Sequence, residues 1–240
     1  MTMAQIKMEN LSLEIPVFDY RHLSIRRKLI KSAVGGVLAD DTGLTKIRAL
    51  HSVNLSINDG DRVGIYGHNG AGKTSLLKVV AGIYRPSAGD LEVRGDVLSL
   101  LSIMDGMEPS LSGEENIMRV GLMRGNSIND IERAKDEIID FSGLNEFSKL
   151  PVRTYSSGMQ MRLIFSIVTS FGADILLLDE FFSTGDESFK EKSLLRLQKL
   201  VTGSKILMFA SHSKQSLRDL CNRILVLEKG FIKEIPISAF

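Results

Sequence analysis

Gly67-His68-Asn69-Gly70-Ala71-Gly72-Lys73-Thr74 sets glycines, a lysine and a hydroxyl at the spacing of a phosphate-binding loop. Glycine lets the backbone wrap closely around phosphate oxygens, so that successive N–H groups point inward at the anion. A helix beginning behind the loop adds the partial positive charge of its N-terminus. Lys73 supplies a point charge for β- and γ-phosphates, and Thr74 a hydroxyl for Mg2+. With Ser75 as the next residue of that helix, Gly67 through Ser75 form the candidate ATP-binding set.

A second feature is Ile175-Leu176-Leu177-Leu178-Asp179-Glu180, an apolar run closed by two acids. A buried strand has no use for carboxylates, but its C-terminal end is where ligands bind in parallel sheets. Asp179 fits the Mg2+-holding position and Glu180 a group that polarises the attacking water. Two further sites read both ways when taken alone. Tyr155-Ser156-Ser157-Gly158-Met159 precedes a helical stretch over Gln160–Thr169 and makes either a second anion site or an ordinary N-cap. His212, in Phe209-Ala210-Ser211-His212-Ser213, follows an apolar strand and is either structural or aimed at a ligand.

These residues need strands and helices to hold them. Ile6–Ile15 alternates loosely and Ile47–Ile57 more strictly, as half-buried strands do. Arg62–Tyr66, Ile175–Leu178, Ile206–Ala210 and Ile224–Leu227 are short apolar core strands separated by helical patterns, the first helix running from Lys73 to about Ala81. That order predicts a mostly parallel sheet covered by helices. The early alternating strands suggest an antiparallel subsheet, and 112–147 reads as mostly helical. Ala33–Thr45, with its glycines, reads as a loop.

Composition bounds the rest. The chain has 240 residues, 43% hydrophobic and 25% charged, enough for one large domain or two small ones. A formal net charge of +1 argues against a role in neutralising a nucleic-acid backbone. With Cys221 the single cysteine, no internal disulfide can form. No apolar run reaches the length of a membrane span and the N-terminus lacks a secretory pattern, so a cytoplasmic chain carried to any membrane by another protein is expected. The basic stretch Arg21, Arg26, Arg27, Lys28 and Lys31 reads as a lipid contact, a glycan-diphosphate contact or a solvated face.

Over about 46–230 the chain resembles the nucleotide-binding subunits of ABC transporters, because the motifs above follow in that family's order. Tyr155–Met159 resembles the signature usually written Leu-Ser-Gly-Gly-Gln, with Ser156 and Gly158 at the matching places. In the family this loop faces the γ-phosphate held by the other subunit of a dimer. His212 matches the switch histidine and Asp186, in Ser183-Thr184-Gly185-Asp186, the D-loop aspartate. Two departures stand out. No glutamine lies at 97–107, where the family has its Q-loop, and Ser102, Ile103 and Asp105 occupy that neighbourhood. The adenine-stacking aromatic is displaced, leaving Phe18 and Tyr20 as candidates that serve equally well as core or surface residues.

Within the family, the Tyr155–Met159 signature, the D-loop Thr184–Phe189, Leu111–Ile117, Leu217–Arg223 and an insert at about 20–45 look like the subunits that export O-antigen, capsular or teichoic-acid polysaccharide. Some of those carry a carbohydrate-binding C-terminal domain; ending at Phe240, this chain resembles the short class. The resemblance implies one α/β P-loop ATPase domain over 1–240. It would combine a mostly parallel core sheet, an antiparallel β subdomain and a helical subdomain at about 108–170. It implies ATP and Mg2+, a homodimer, an integral membrane permease, a lipid-linked polysaccharide as indirect cargo and no nucleic acid. It places the subunit peripherally on the cytoplasmic side of the bacterial inner membrane. The alternatives are another cargo, or a soluble ABC ATPase of nucleic-acid metabolism, which usually carries a long coiled coil or paired ATPase units that are missing here.

Overall fold

The computed structural model describes residues 3–17, 38–41, 44–101, 103–179 and 187–240. They divide into two compact units, one built from 3–17, 38–41, 44–97, 174–179 and 204–240, the other from 98–101, 103–173 and 187–203.

The first unit holds two sheets. β1 (Gln5–Val17), β2 (Leu38–Asp41), β3 (Leu44–Asn58) and, after the intervening β4 (Arg62–Tyr66), β5 (Ala88–Arg94) form an antiparallel sheet in the order β2-β3-β1-β5. The loose alternation of β1 has a cause. Ile6 and Met8 are buried on one phase and Leu11 and Leu13 on the other, and the register with β3 shifts between Met8 and Leu11. Asn10, at φ 49°, absorbs the extra residue as a bulge and returns the apolar face to the core. The expectation of a loop over Ala33–Thr45 is corrected where that stretch is described: Leu38–Asp41 is a strand paired with β3, which itself begins at Leu44. Backbone pairing at a sheet edge needs no apolar alternation, so the composition carried no sign of it.

The second sheet is the predicted parallel core. After β6 (Val97–Ser99) come β7 (Ile175–Asp179), β8 (Ile206–Ala210), β9 (Arg223–Glu228) and β10 (Phe231–Ile235), and within this unit the order runs β10-β9-β4-β8-β7. β4 pairs in parallel with β8 and β9, and β7 with β8. Val63, Ile65, Ile175, Leu177, Leu207, Met208, Ile224 and Leu225 are essentially inaccessible, as strands covered on both faces require. β10 is antiparallel to β9 through a two-residue turn, Lys229-Gly230, with both residues at positive φ. β5 and β10 were not visible in the sequence because most of their side chains lie in water. Helix α1 (Lys73–Val80) follows the glycine loop, ending where predicted with Ala81 as its cap.

The second unit is helical, as 112–147 suggested. α2 (Gly113–Met123) opens with a Ser112–Glu115 capping box, and α3 (Ile128–Ser142) begins on Ser127 and stops at Gly143 in the left-handed conformation. α4 (Ser157–Thr169) starts three residues before the predicted Gln160, and α5 (Glu187–Gly203) completes the set. Phe141, Phe165 and Phe189 pack ring to ring, and the Arg196 guanidinium lies 3.7 Å from the Phe141 centroid. In the first unit, α6 (Lys214–Leu220) joins β8 to β9.

Candidate functional site

The register of the parallel sheet brings the chemistry-bearing segments to one edge. Ile65 lies opposite Ala210, and Ala210 opposite Asp179, so β4, β8 and β7 end level with one another. Tyr66 closes β4 and Gly67 opens the loop; Asp179 closes β7; Ser211 and His212 leave β8.

The loop is packed from behind. Gly72 caps α1 at φ 109°, ψ 5°, with no side-chain cap, which leaves the first-turn N–H groups to an external anion. A Cβ on Gly67 would stand 2.5 Å from the Leu227 carbonyl oxygen, and one on Gly72 2.7 Å from that of Ala49. The turn between β9 and β10 completes the support: Gly230 N–H donates to Ala71 O at 3.1 Å, and its carbonyl accepts from His51 N–H at 2.9 Å. His68, Asn69 and Gly70 remain exposed at the rim.

Lys73 is only 7% exposed, and its ammonium donates to Gly67 O at 2.6 Å and His68 O at 3.2 Å. Those carbonyls use two of its three donors and hold the charge over the loop. Thr74 Oγ1 donates to Asp179 Oδ2 at 2.5 Å, although the two residues are 105 apart in sequence. One hydroxyl and one carboxylate side by side suit Mg2+, which binds few protein oxygens and keeps room for water and phosphate. Ser75 follows half-buried in the first turn. Glu180 and Asp186 lie outside the described residues, as do Ser102, Phe18, Tyr20 and the basic stretch.

His212 is exposed, between two anchored serines. Ser211 N–H donates to Ile65 O at 3.1 Å. Ser213 N–H donates to Ser211 Oγ at 3.0 Å, and the Ser213 hydroxyl caps α6 by accepting from Ser216 N–H.

In the helical unit, Ser156 is the N-cap of α4 and its hydroxyl accepts from Met159 N–H at 3.2 Å. Tyr155 is buried and donates its hydroxyl to Phe147 O at 2.6 Å; burial, with the nearby Glu114 charge second, pushes its ionisation upward. Ser156, Ser157 and Gly158 are exposed, and among the described residues a Cβ on Gly158 would meet Ser156 Oγ alone, at 3.9 Å.

Sequence reasoning passed over three supports. Gln160 Nε2 donates to Val152 O and Tyr155 O, bracing the turn before α4. Buried Asn116 binds Glu108 N–H and donates to the Glu108, Leu111 and Ser112 carbonyls, fastening the segment before α2. The third is the Lys229-Gly230 turn, where a glycine between two apolar runs was the available signal.

A glycine loop with a buried lysine, capping a helix at the C-terminal edge of a parallel sheet, defines a P-loop nucleotide triphosphatase. The family model described as "ABC transporter" matches residues 50–183. The chain is 42% identical to the O-antigen export system ATP-binding protein RfbE of Yersinia enterocolitica, over 97% of this chain and 98% of that protein. It is 40% identical to the O-antigen export system ATP-binding protein RfbB of Myxococcus xanthus, over 79% of this chain but only 43% of that longer protein. Among solved structures, the dimeric post-hydrolysis ATP-binding cassette MJ0796 bound to ADP and Pi superposes with a TM-score of 0.67 at 20% identity, covering 98% of this chain and all of that one. The chain belongs to the ABC transporter family and is an ATP-hydrolysing subunit of it.

Proposed function

We propose that this chain powers export of a lipid-linked polysaccharide, working as a dimer beneath an integral membrane permease on the cytoplasmic side of the bacterial inner membrane. The observation that carries the cargo is near end-to-end similarity to an O-antigen export protein at 42% identity. No helix of the described residues is long and apolar enough to cross a membrane, so a separate permease would supply the path.

Gly67–Ser75 cradle the ATP phosphates, with Lys73 against the β- and γ-phosphates. Mg2+, held by Thr74 and Asp179, would neutralise charge between those phosphates. Glu180, next after Asp179 in sequence, takes the proton of the attacking water as the water oxygen bonds to γ-phosphorus and the bond to the bridging oxygen of ADP breaks. His212 orients the γ-phosphate. Asp186 serves the dimer contact, and Tyr155–Met159 close on the nucleotide of the opposite subunit. In support, Lys73 and Ser156 belong to different compact units, and the Gly158 surface is open to a ligand from outside the chain. The two units act as parts of one ATPase domain, and nothing in the reading involves nucleic acid.

Complementation tests the shared site. A Lys73→Ala chain and a Ser156→Arg chain, each inactive alone, should regain hydrolysis on mixing, since both lesions can fall on one site and leave the other whole. Deleting the gene tests the cargo: polymer should accumulate inside the cell and vanish from its surface while synthesis continues, and Lys73→Ala should fail to rescue. Normal surface glycan with lost uptake of a small nutrient would transfer the chain to another cargo.

A further inference from the structure

Phe240 is 6% exposed in a cluster with Leu217, Cys221 and Ile224. Its ring meets Tyr66 edge to face, centroids 5.0 Å apart at 74°. Tyr66 is the residue immediately before Gly67, so the contact lies at the root of the phosphate loop. On the other side stands Lys214, the first residue of α6. Its ammonium is 4.9 Å from the Phe240 centroid and 5.6 Å from that of Tyr66, and it donates to Phe240 O at 3.2 Å. A cation in the first turn of a helix opposes the macrodipole, so α6 itself gains nothing from Lys214 there. The two rings and the carbonyl offset that cost.

We propose that Phe240 is a positioning residue for ATP hydrolysis: wedged between Tyr66 and Lys214, its ring sets the distance between the root of the phosphate loop and the start of α6, and thereby the turn that carries His212. The inference rests on the reading that His212 acts at the γ-phosphate. His212 is suspended between two anchors. Ser211 is tied to β4 through Ile65 O, and Ser213 is tied to α6 as its cap. The middle of α6 is seated as well: Leu217 is fully buried, packs where Gly64 has no side chain and shares the buried cluster with Phe240. Losing the ring loosens the start of α6 against the root of the phosphate loop and shifts His212, while Lys73, Thr74 and Asp179 lie in other segments and still bind nucleotide.

The test uses full-length Phe240→Leu, which keeps apolar volume and removes the aromatic face, and Lys214→Gln, which keeps the stem and removes the charge. Steady-state MgATP hydrolysis, equilibrium binding of a fluorescent ATP analogue and melting temperature are measured for each variant and for the pair. The expected result is a kcat lowered on the order of 10-fold, within the range for a reacting group displaced by less than about 1 Å. The analogue's Kd should stay within about twofold, and the double variant should be no worse than the poorer single one, because both lesions break one strut. A role confined to stability would instead lower melting temperature and binding stoichiometry together, leave kcat per bound nucleotide unchanged, and overturn the proposal. His212→Ala in the same assay separates the two readings. If it is inactive while both wedge variants turn over normally per site, the wedge alone is wrong. If His212→Ala itself turns over normally, the histidine reading is wrong and the wedge proposal falls with it.

Discussion

Two helix N-termini in this chain carry a glycine in a candidate anion site, and they are built differently. At α1 the glycines are demanded by the chain itself, since Gly72 sits at φ 109° and side chains at Gly67 and Gly72 would strike carbonyl oxygens of β9 and β3. No side chain caps that helix, and a buried lysine lies over it. At α4 a serine caps the helix, and Gly158 has ordinary helical geometry with open space around it. The first terminus is a finished receptor held by its own core. The second is a surface whose glycine meets no close neighbour among the described residues except Ser156 Oγ, as the proposed half-site shared between chains requires.

The sharpest way to break that contrast is Lys73→Ala. Loss of a charge-assisted contact of about 3 kcal/mol should weaken ATP binding on the order of 100-fold. Isothermal titration checks it, and unchanged affinity would leave the α1 receptor without its main cation. Gly67→Ala comes next: overpacking against Leu227 O should destabilise the fold by about 1–3 kcal/mol in urea unfolding and weaken nucleotide binding with it. The matched change at α4, Gly158→Ala, should do the opposite to stability. It should gain up to about 0.5 kcal/mol from reduced backbone freedom, while steady-state hydrolysis falls at least about 10-fold because a methyl group stands where the partner's phosphate must approach. Full hydrolysis in that variant would return α4 to an ordinary capped helix. Ser156→Ala should cost about 1 kcal/mol through the lost cap, with ATP affinity of the isolated chain unchanged.

The smallest effect concerns the packing between α6 and β4, where Cys221 lies against Gly64 and clusters with Leu217. Burial pushes the Cys221 thiol up from 9.0 to about 12. A raised folded pKa means that the neutral thiol's contribution to stability is complete below pH 9 and is lost as pH rises toward 12. Iodoacetamide should therefore label the native chain far more slowly than the urea-unfolded chain between pH 8 and 10, read by mass spectrometry. Equal rates would mean that the packing of α6 on β4 opens freely.

Much of this was legible beforehand, for a physical reason. The phosphate loop is local: eight consecutive residues contain the turn, the cation and the hydroxyl, so spacing alone reveals it. The four core strands were legible because burial on both faces demands uninterrupted apolar runs such as Ile175–Leu178. The strands β5 and β10 were not, because backbone pairing leaves little trace in side chains that stay in water, and β2 shows only in its backbone pairing with β3.

What the sequence determined by itself is therefore which residue types stand together: glycines, a lysine and a hydroxyl at Gly67–Ser75, a carboxylate at the end of a buried strand, and a serine beside a glycine at Ser156–Gly158. Tertiary structure alone decided which of these meet. The Thr74–Asp179 contact spans 105 residues and exists because Ile65, Ala210 and Asp179 share one register across three parallel strands. It also decided that a two-residue turn at Lys229-Gly230 braces Ala71, and that Phe240 stands against the residue before Gly67. Spacing along a chain encodes only what neighbouring residues can do together. Partnerships across a sheet depend on the alignment of strands distant in sequence, which the burial of both faces sets.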